Sequence, residues 1–138
     1  MRLILDVFKR RWAKKLLVVG TWPRSGGNIE ALVAWQRCEG TTAKYNPLAT
    51  TKKMVGSLPL GGNPDQNNGN PVQEYPTKAV GLEATRLTLI LPYYVDIVRH
   101  LKAGDLDQDI LHDTKVAAQL ATWGTGASCP KSLLASRA

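Results

Sequence analysis

The sequence predicts an α+β domain, mainly helical, with a small β-hairpin lobe and a cleft between the two. Three observations predict it. Apolar residues recur at helical spacing on both sides of the chain's middle. Residues 41–76 are instead rich in Thr, Asn, Gly and Pro, with only short apolar runs between turn signals. Hydrophobic residues make up 43% of 138 positions, enough for one core, so residues 1–138 read as a single domain.

The first helix carries Leu5, Phe8, Trp12, Leu16 and Val19 at steps of three and four, which sets an apolar stripe against Lys9-Arg10-Arg11 and Lys14-Lys15. The run Leu16-Leu17-Val18-Val19 falls short of the ~7–15 apolar residues of a secretory leader, so no signal peptide is expected. No uncharged apolar stretch approaches the ~20 residues of a membrane span. Thr21 to Gly27 reads as a loop through Pro23 and Gly26-Gly27. Asn28 is then expected to cap a helix from Ile29 to about Glu39. Ile29, Ala31, Leu32, Val33, Ala34, Trp35 and Cys38 cover nearly its whole circumference, which predicts a helix buried in the core. Gly40 supplies a left-handed stop.

Turns at Gly61-Gly62-Asn63-Pro64 and Asn67-Asn68-Gly69-Asn70-Pro71 separate two short expected strands, near Lys53 to Leu58 and Val72 to Tyr75. Helix resumes at Thr77 or Ala79 and runs to about Leu91. Pro92 opens the next helix, which Gly104 ends. A last helix is expected from Leu106 to Trp123, with residues 127–138 a loosely held tail.

A net charge of +7 and a pI near 9.7 favour an anionic partner. Nucleic acid is disfavoured, because the basic residues are dispersed and no recognition-helix motif is present. Cys38 and Cys129 form no CxxC pair, and one disulfide between them stays open. His100 and His112 stand apart in sequence, so no metal site, no cofactor and no Cys38 peptidase are expected. Asp96 and His100, four apart, are read as a surface ion pair.

Glu39 is the residue that points to chemistry. It closes an almost wholly apolar helix. Burial disfavours the charged form of a carboxyl, and a helix C-terminus carries roughly half a negative charge that repels an anion. Both effects raise its pKa, as a general acid at neutral pH requires. The competing expectation is a Glu turned to solvent or paired with a lysine such as Lys44.

The run Ala31-Leu32-Val33-Ala34-Trp35-Gln36-Arg37-Cys38-Glu39-Gly40, followed by Asn46-Pro47-Leu48-Ala49-Thr50-Thr51, resembles the lysozyme-like peptidoglycan hydrolases of bacteriophages and actinobacteria. The resemblance continues through Val72-Gln73-Glu74-Tyr75-Pro76, Gly81-Leu82-Glu83-Ala84-Thr85 and Trp123-Gly124-Thr125-Gly126, and covers roughly residues 12 to 126. It implies that Glu39 protonates the glycosidic oxygen between amino sugars, as muramidase, glucosaminidase or lytic transglycosylase. Hydrolysis needs a second carboxylate, for which Asp65 is preferred over Glu74; transglycosylation needs none.

Asn46 and Tyr75 are candidate sugar contacts, an amide for N-acetyl groups and a ring for a pyranose face, with Thr50 and Thr51 beside them. The expected partner is bacterial peptidoglycan, and the expected place is a virion or the wall after release. The alternative is a non-catalytic phage tail protein of the same fold, partnered by other tail proteins.

Overall fold

The computed structural model describes residues 2–62 and 70–137. It is mostly helical, with a small two-stranded antiparallel sheet, in keeping with the α+β class. Helix α1 (Arg2–Gly20) lies against α2 (Gly26–Glu39) through Trp12, Ala13, Leu16 and Leu17, all buried. No helix in the described residues is long and apolar enough to cross a membrane.

Helix α2 is the central rod, as its sequence predicts. Eight of its fourteen residues, from Asn28 to Gln36, are buried. Its start differs from expectation. Ser25, not Asn28, is the N-cap, its hydroxyl accepting from the Asn28 N–H at 3.1 Å and donating to the Gly104 carbonyl at 2.6 Å. Asn28 lies one turn in and wholly buried, donating to the carbonyls of Pro23 (2.8 Å) and Leu101 (2.9 Å) and accepting from the Leu106 N–H (3.3 Å). That amide ties three segments together. Removing it strands buried backbone groups, so Asn28→Ala is expected to cost about 2–4 kcal/mol, measured by urea denaturation.

The sheet is shorter than the sequence suggests: β1 (Leu58–Pro59) pairs with β2 (Gln73–Glu74), Leu58 opposite Glu74 and Pro59 opposite Gln73. Pro59 lies opposite Gln73, whose N–H turns away to the Thr50 carbonyl at 3.2 Å, so the missing proline N–H costs no ladder bond. One more bond, from the Leu60 N–H to the Val72 carbonyl at 2.8 Å, forms before Gly61 turns the chain left-handed at φ 76°. Helix α3 (Lys78–Leu89) begins behind the Thr77 cap, as expected, and packs on α1. Pro92–Tyr94 form a 3₁₀ turn that leads into α4 (Val95–Ala103), which ends at left-handed Gly104.

The expected helix from Leu106 to Trp123 is two helices, α5 (Leu106–His112) and α6 (Thr114–Trp123). Asp113 divides them in extended backbone, its carboxylate accepting from the Lys115 N–H at 2.7 Å as the cap of α6. The expected loose tail is also corrected. Residues Ser128–Ala135 form α7, packed on α2 and α5 with Leu134 buried, and Cys129 bridges to Cys38 with Cα atoms 5.9 Å apart. Pro130, a residue that reads as a breaker, sits in the first turn of α7, where proline costs no hydrogen bond.

The Asp96–His100 pair does not form as expected. Asp96 bonds Arg99 at 2.8 Å and Gln119 at 2.8 Å, and the His100 ring instead meets Asp105, Asp109 and Asp113. His100 therefore does not stand alone in space: a nitrogen of its ring and carboxylate oxygens of Asp105 and Asp109 lie within 4.8 Å of one another.

Candidate active site

Glu39 is the last residue of α2, and three local features fix it. Gly40 takes the left-handed conformation (φ 57°) and its N–H returns to the Gln36 carbonyl at 3.1 Å, ending the helix sharply. The adjacent Cys38 is bound covalently to α7. The carboxylate itself accepts a hydrogen bond from the Thr125 hydroxyl.

Thr125 is brought there by the turn after α6. Gly124 (φ 116°) and Gly126 (φ 74°) both adopt left-handed backbone, which side chains other than glycine rarely take. The Gly126 N–H returns to the Leu120 carbonyl at 3.0 Å, folding the turn back on its helix. The Thr125 oxygen also accepts from the Trp35 indole N–H at 2.8 Å. Trp35 is one helical turn before Glu39, so a relay runs from indole to hydroxyl to carboxylate within one patch. Trp123 packs edge-on to Trp35 (4.9 Å between centroids) and to Tyr94 (5.1 Å), and its own indole donates to the Leu48 carbonyl at 2.7 Å.

Burial raises the pKa of Glu39 above the ordinary carboxyl value; the Thr125 hydroxyl, which favours the charged form, opposes this less strongly. Among the described residues no cation pairs with Glu39. Lys44 is directed elsewhere, its ammonium 5.6 Å from the centre of the Tyr45 ring. A half-buried carboxyl held by a neutral hydroxyl keeps its proton to higher pH than a free one. Replacing Thr125 by Val is therefore expected to raise the Glu39 pKa further. Any activity that needs the protonated form then extends to higher pH, read as an alkaline shift of the descending limb of the pH–rate profile.

The other residues singled out from sequence fare differently. Asp65 lies outside the described residues. Glu74, on β2, accepts from the Lys44 N–H at 3.4 Å. Asn46 is corrected from sugar contact to internal brace. It is 0% exposed, donates to the carbonyls of Thr50 (2.8 Å) and Gln73 (2.7 Å), and accepts from the Thr50 N–H (2.9 Å). Tyr75 is likewise a core residue at 1% exposure, its hydroxyl donating to the Lys52 carbonyl at 2.6 Å, and burial drives its pKa upward. Thr50 is buried against Thr88, with 2.6 Å between their hydroxyl oxygens.

Thr51 lines a groove of about 420 Å³ shared with Lys52, Lys53, Asn70, Thr88 and Leu91. The polar braces follow from the fold: a nearly strandless loop must satisfy its backbone through side chains. Thr125, Trp35 and Trp123 carry the site instead. The signal for them in sequence is a hydroxyl between two glycines directly after a tryptophan.

No protein-family model matches the chain, and neither a curated protein nor a solved structure matches it.

Proposed function

We propose that this chain is a lysozyme-like glycosidase that cleaves peptidoglycan, with Glu39 as general acid, borne by a phage as a tail-associated enzyme or lysin. One observation carries the reading: a carboxyl whose pKa burial raises, with no cation paired to it among the described residues, at the end of the central helix and held through one oxygen by Thr125. With Oε1 engaged by the Thr125 hydroxyl, Oε2 is left to bear the proton. Delivered to a glycosidic oxygen, that proton turns a poor alkoxide leaving group into a neutral alcohol as the sugar develops oxocarbenium character. The net charge of +7 draws the protein to an anionic wall and adds attraction, not chemistry.

The ordered motifs from Ala31 to Gly126 support the same family, and Asp65 remains the proposed second carboxylate for the hydrolytic variants. Mass spectrometry of purified wall digests tests the proposal. New reducing-end muramic acid, reducing-end glucosamine or anhydro-sugars identify muramidase, glucosaminidase or transglycosylase respectively. An undigested wall refutes the enzymatic reading and favours a scaffold of the phage tail.

A further inference from the structure

A second groove lies beside the end of α2, on the side that faces α1. It has a volume of about 570 Å³, within the ~300–1,000 Å³ of small-ligand sites. Its apolar wall is made by Phe8, Trp12, Tyr45 and Pro47, and Lys9 and Lys78 also line it. Phe8 and Tyr45 are 59% and 41% exposed, an unusual outlay of aromatic surface on a helix and a loop that face each other. Among the described residues no acidic one lines the groove.

Two independent observations say what the groove lacks. The first is electrostatic. Burial first, and then the charges of Lys15 and Arg11, lower the pKa of Lys78, and among the described residues neither Lys9, Arg11, Lys15 nor Lys78 has a carboxylate within ion-pair distance. The second is the exposed aromatic surface of Phe8 and Tyr45. The unpaired cations call for an anionic group, while the aromatic wall calls for apolar matter to cover it.

We infer that this groove binds a short acidic peptide, with small apolar side chains against Phe8, Tyr45 and Pro47 and a carboxylate beside Lys9 and Lys78. A polyphosphate chain would satisfy the lysines and leave the aromatic wall bare, and a flat lipid surface does not enter a concave groove. The source of such a peptide rests on the proposed wall-cleaving function: peptidoglycan glycan carries acidic, alanine-containing stem peptides. Gly40, the residue directly after Glu39, lines the groove.

The test is a titration of the ¹⁵N-labelled full chain with the dipeptide L-alanyl-D-isoglutamate, followed through the four tryptophan indole signals. Trp12→Phe identifies the Trp12 signal. The expected result is a saturable shift of that signal, weakened at least tenfold in Lys78→Glu, whose remaining indole dispersion verifies the fold, and abolished when the dipeptide carboxyls are amidated. No movement of the Trp12 signal at millimolar dipeptide overturns the inference. So does equal binding of the amidated form, or a glycerol-phosphate oligomer that moves the signal where the dipeptide does not. Wall digestion by the same preparation is scored separately, so a digesting protein that ignores the dipeptide refutes the groove alone. A protein that binds the dipeptide and digests nothing refutes the glycosidase.

Discussion

Glu39→Gln is expected to lower wall-clearing activity by about 10²–10⁴-fold, the usual contribution of a general acid, while the fold persists. The amide keeps a carbonyl oxygen to accept from Thr125, so the relay from Trp35 is retained and only the transferable proton is lost. The variant has a second, opposite consequence for stability. A carboxyl whose pKa is higher folded than unfolded contributes stability that is complete below its unfolded pKa and is lost as pH rises through the folded value. At neutral pH the wild-type side chain therefore weighs against folding, and Glu39→Gln removes that penalty. The variant should melt at or above the parent's temperature at pH 7, and the gap should close as pH falls toward 4. Loss of clearing with a rise in melting temperature is the signature of a functional strain. Loss of both would mean that Glu39 is a structural residue.

Removing the Cys38–Cys129 bridge is expected to have the largest effect on stability. The bridge joins residues 91 apart, and the chain-entropy model assigns a loop of that size about 4–5 kcal/mol, within the ~2–5 kcal/mol measured for native disulfides. In a chain this long each kcal/mol moves the melting temperature by about 3 °C, so the Cys38→Ser/Cys129→Ser double variant should melt about 12–15 °C lower. The effect also reaches the site. Cys38 neighbours Glu39, and that bond ties α7 to the end of α2. Reduction should therefore loosen the Glu39–Thr125 contact before the core of α2 opens, visible as early amide exchange at Glu39 and Gly40. An unchanged melting temperature in the double variant would show that the two sulfurs are not joined in solution.

The central helix was legible because its information is local: seven apolar residues around one rod, a glycine at its end and a carboxyl just before it. Thr77 and Pro92 were legible for the same reason, each acting on its own turn. Ser25 and Asn28 are equally good caps in sequence, and the choice between them is made by partners at Leu101 and Leu106, far along the chain. Asn46 and Tyr75 show a different limit. A side chain able to hold a sugar is equally able to brace a loop, and only burial distinguishes the two uses. Thr125 gains its role from a contact 86 residues away, which no local pattern encodes.

The central claim, that Glu39 holds its proton above the ordinary carboxyl range, is open to direct measurement. Selective ¹³C labelling of glutamate, with assignment through Glu39→Gln, gives the carboxyl chemical shift of that one residue across pH 3 to 9. The account predicts a midpoint clearly above the ~4.3 of a free glutamate side chain, moving higher still in Thr125→Val. A midpoint at or below that value, or one unmoved by loss of the Thr125 hydroxyl, would contradict it.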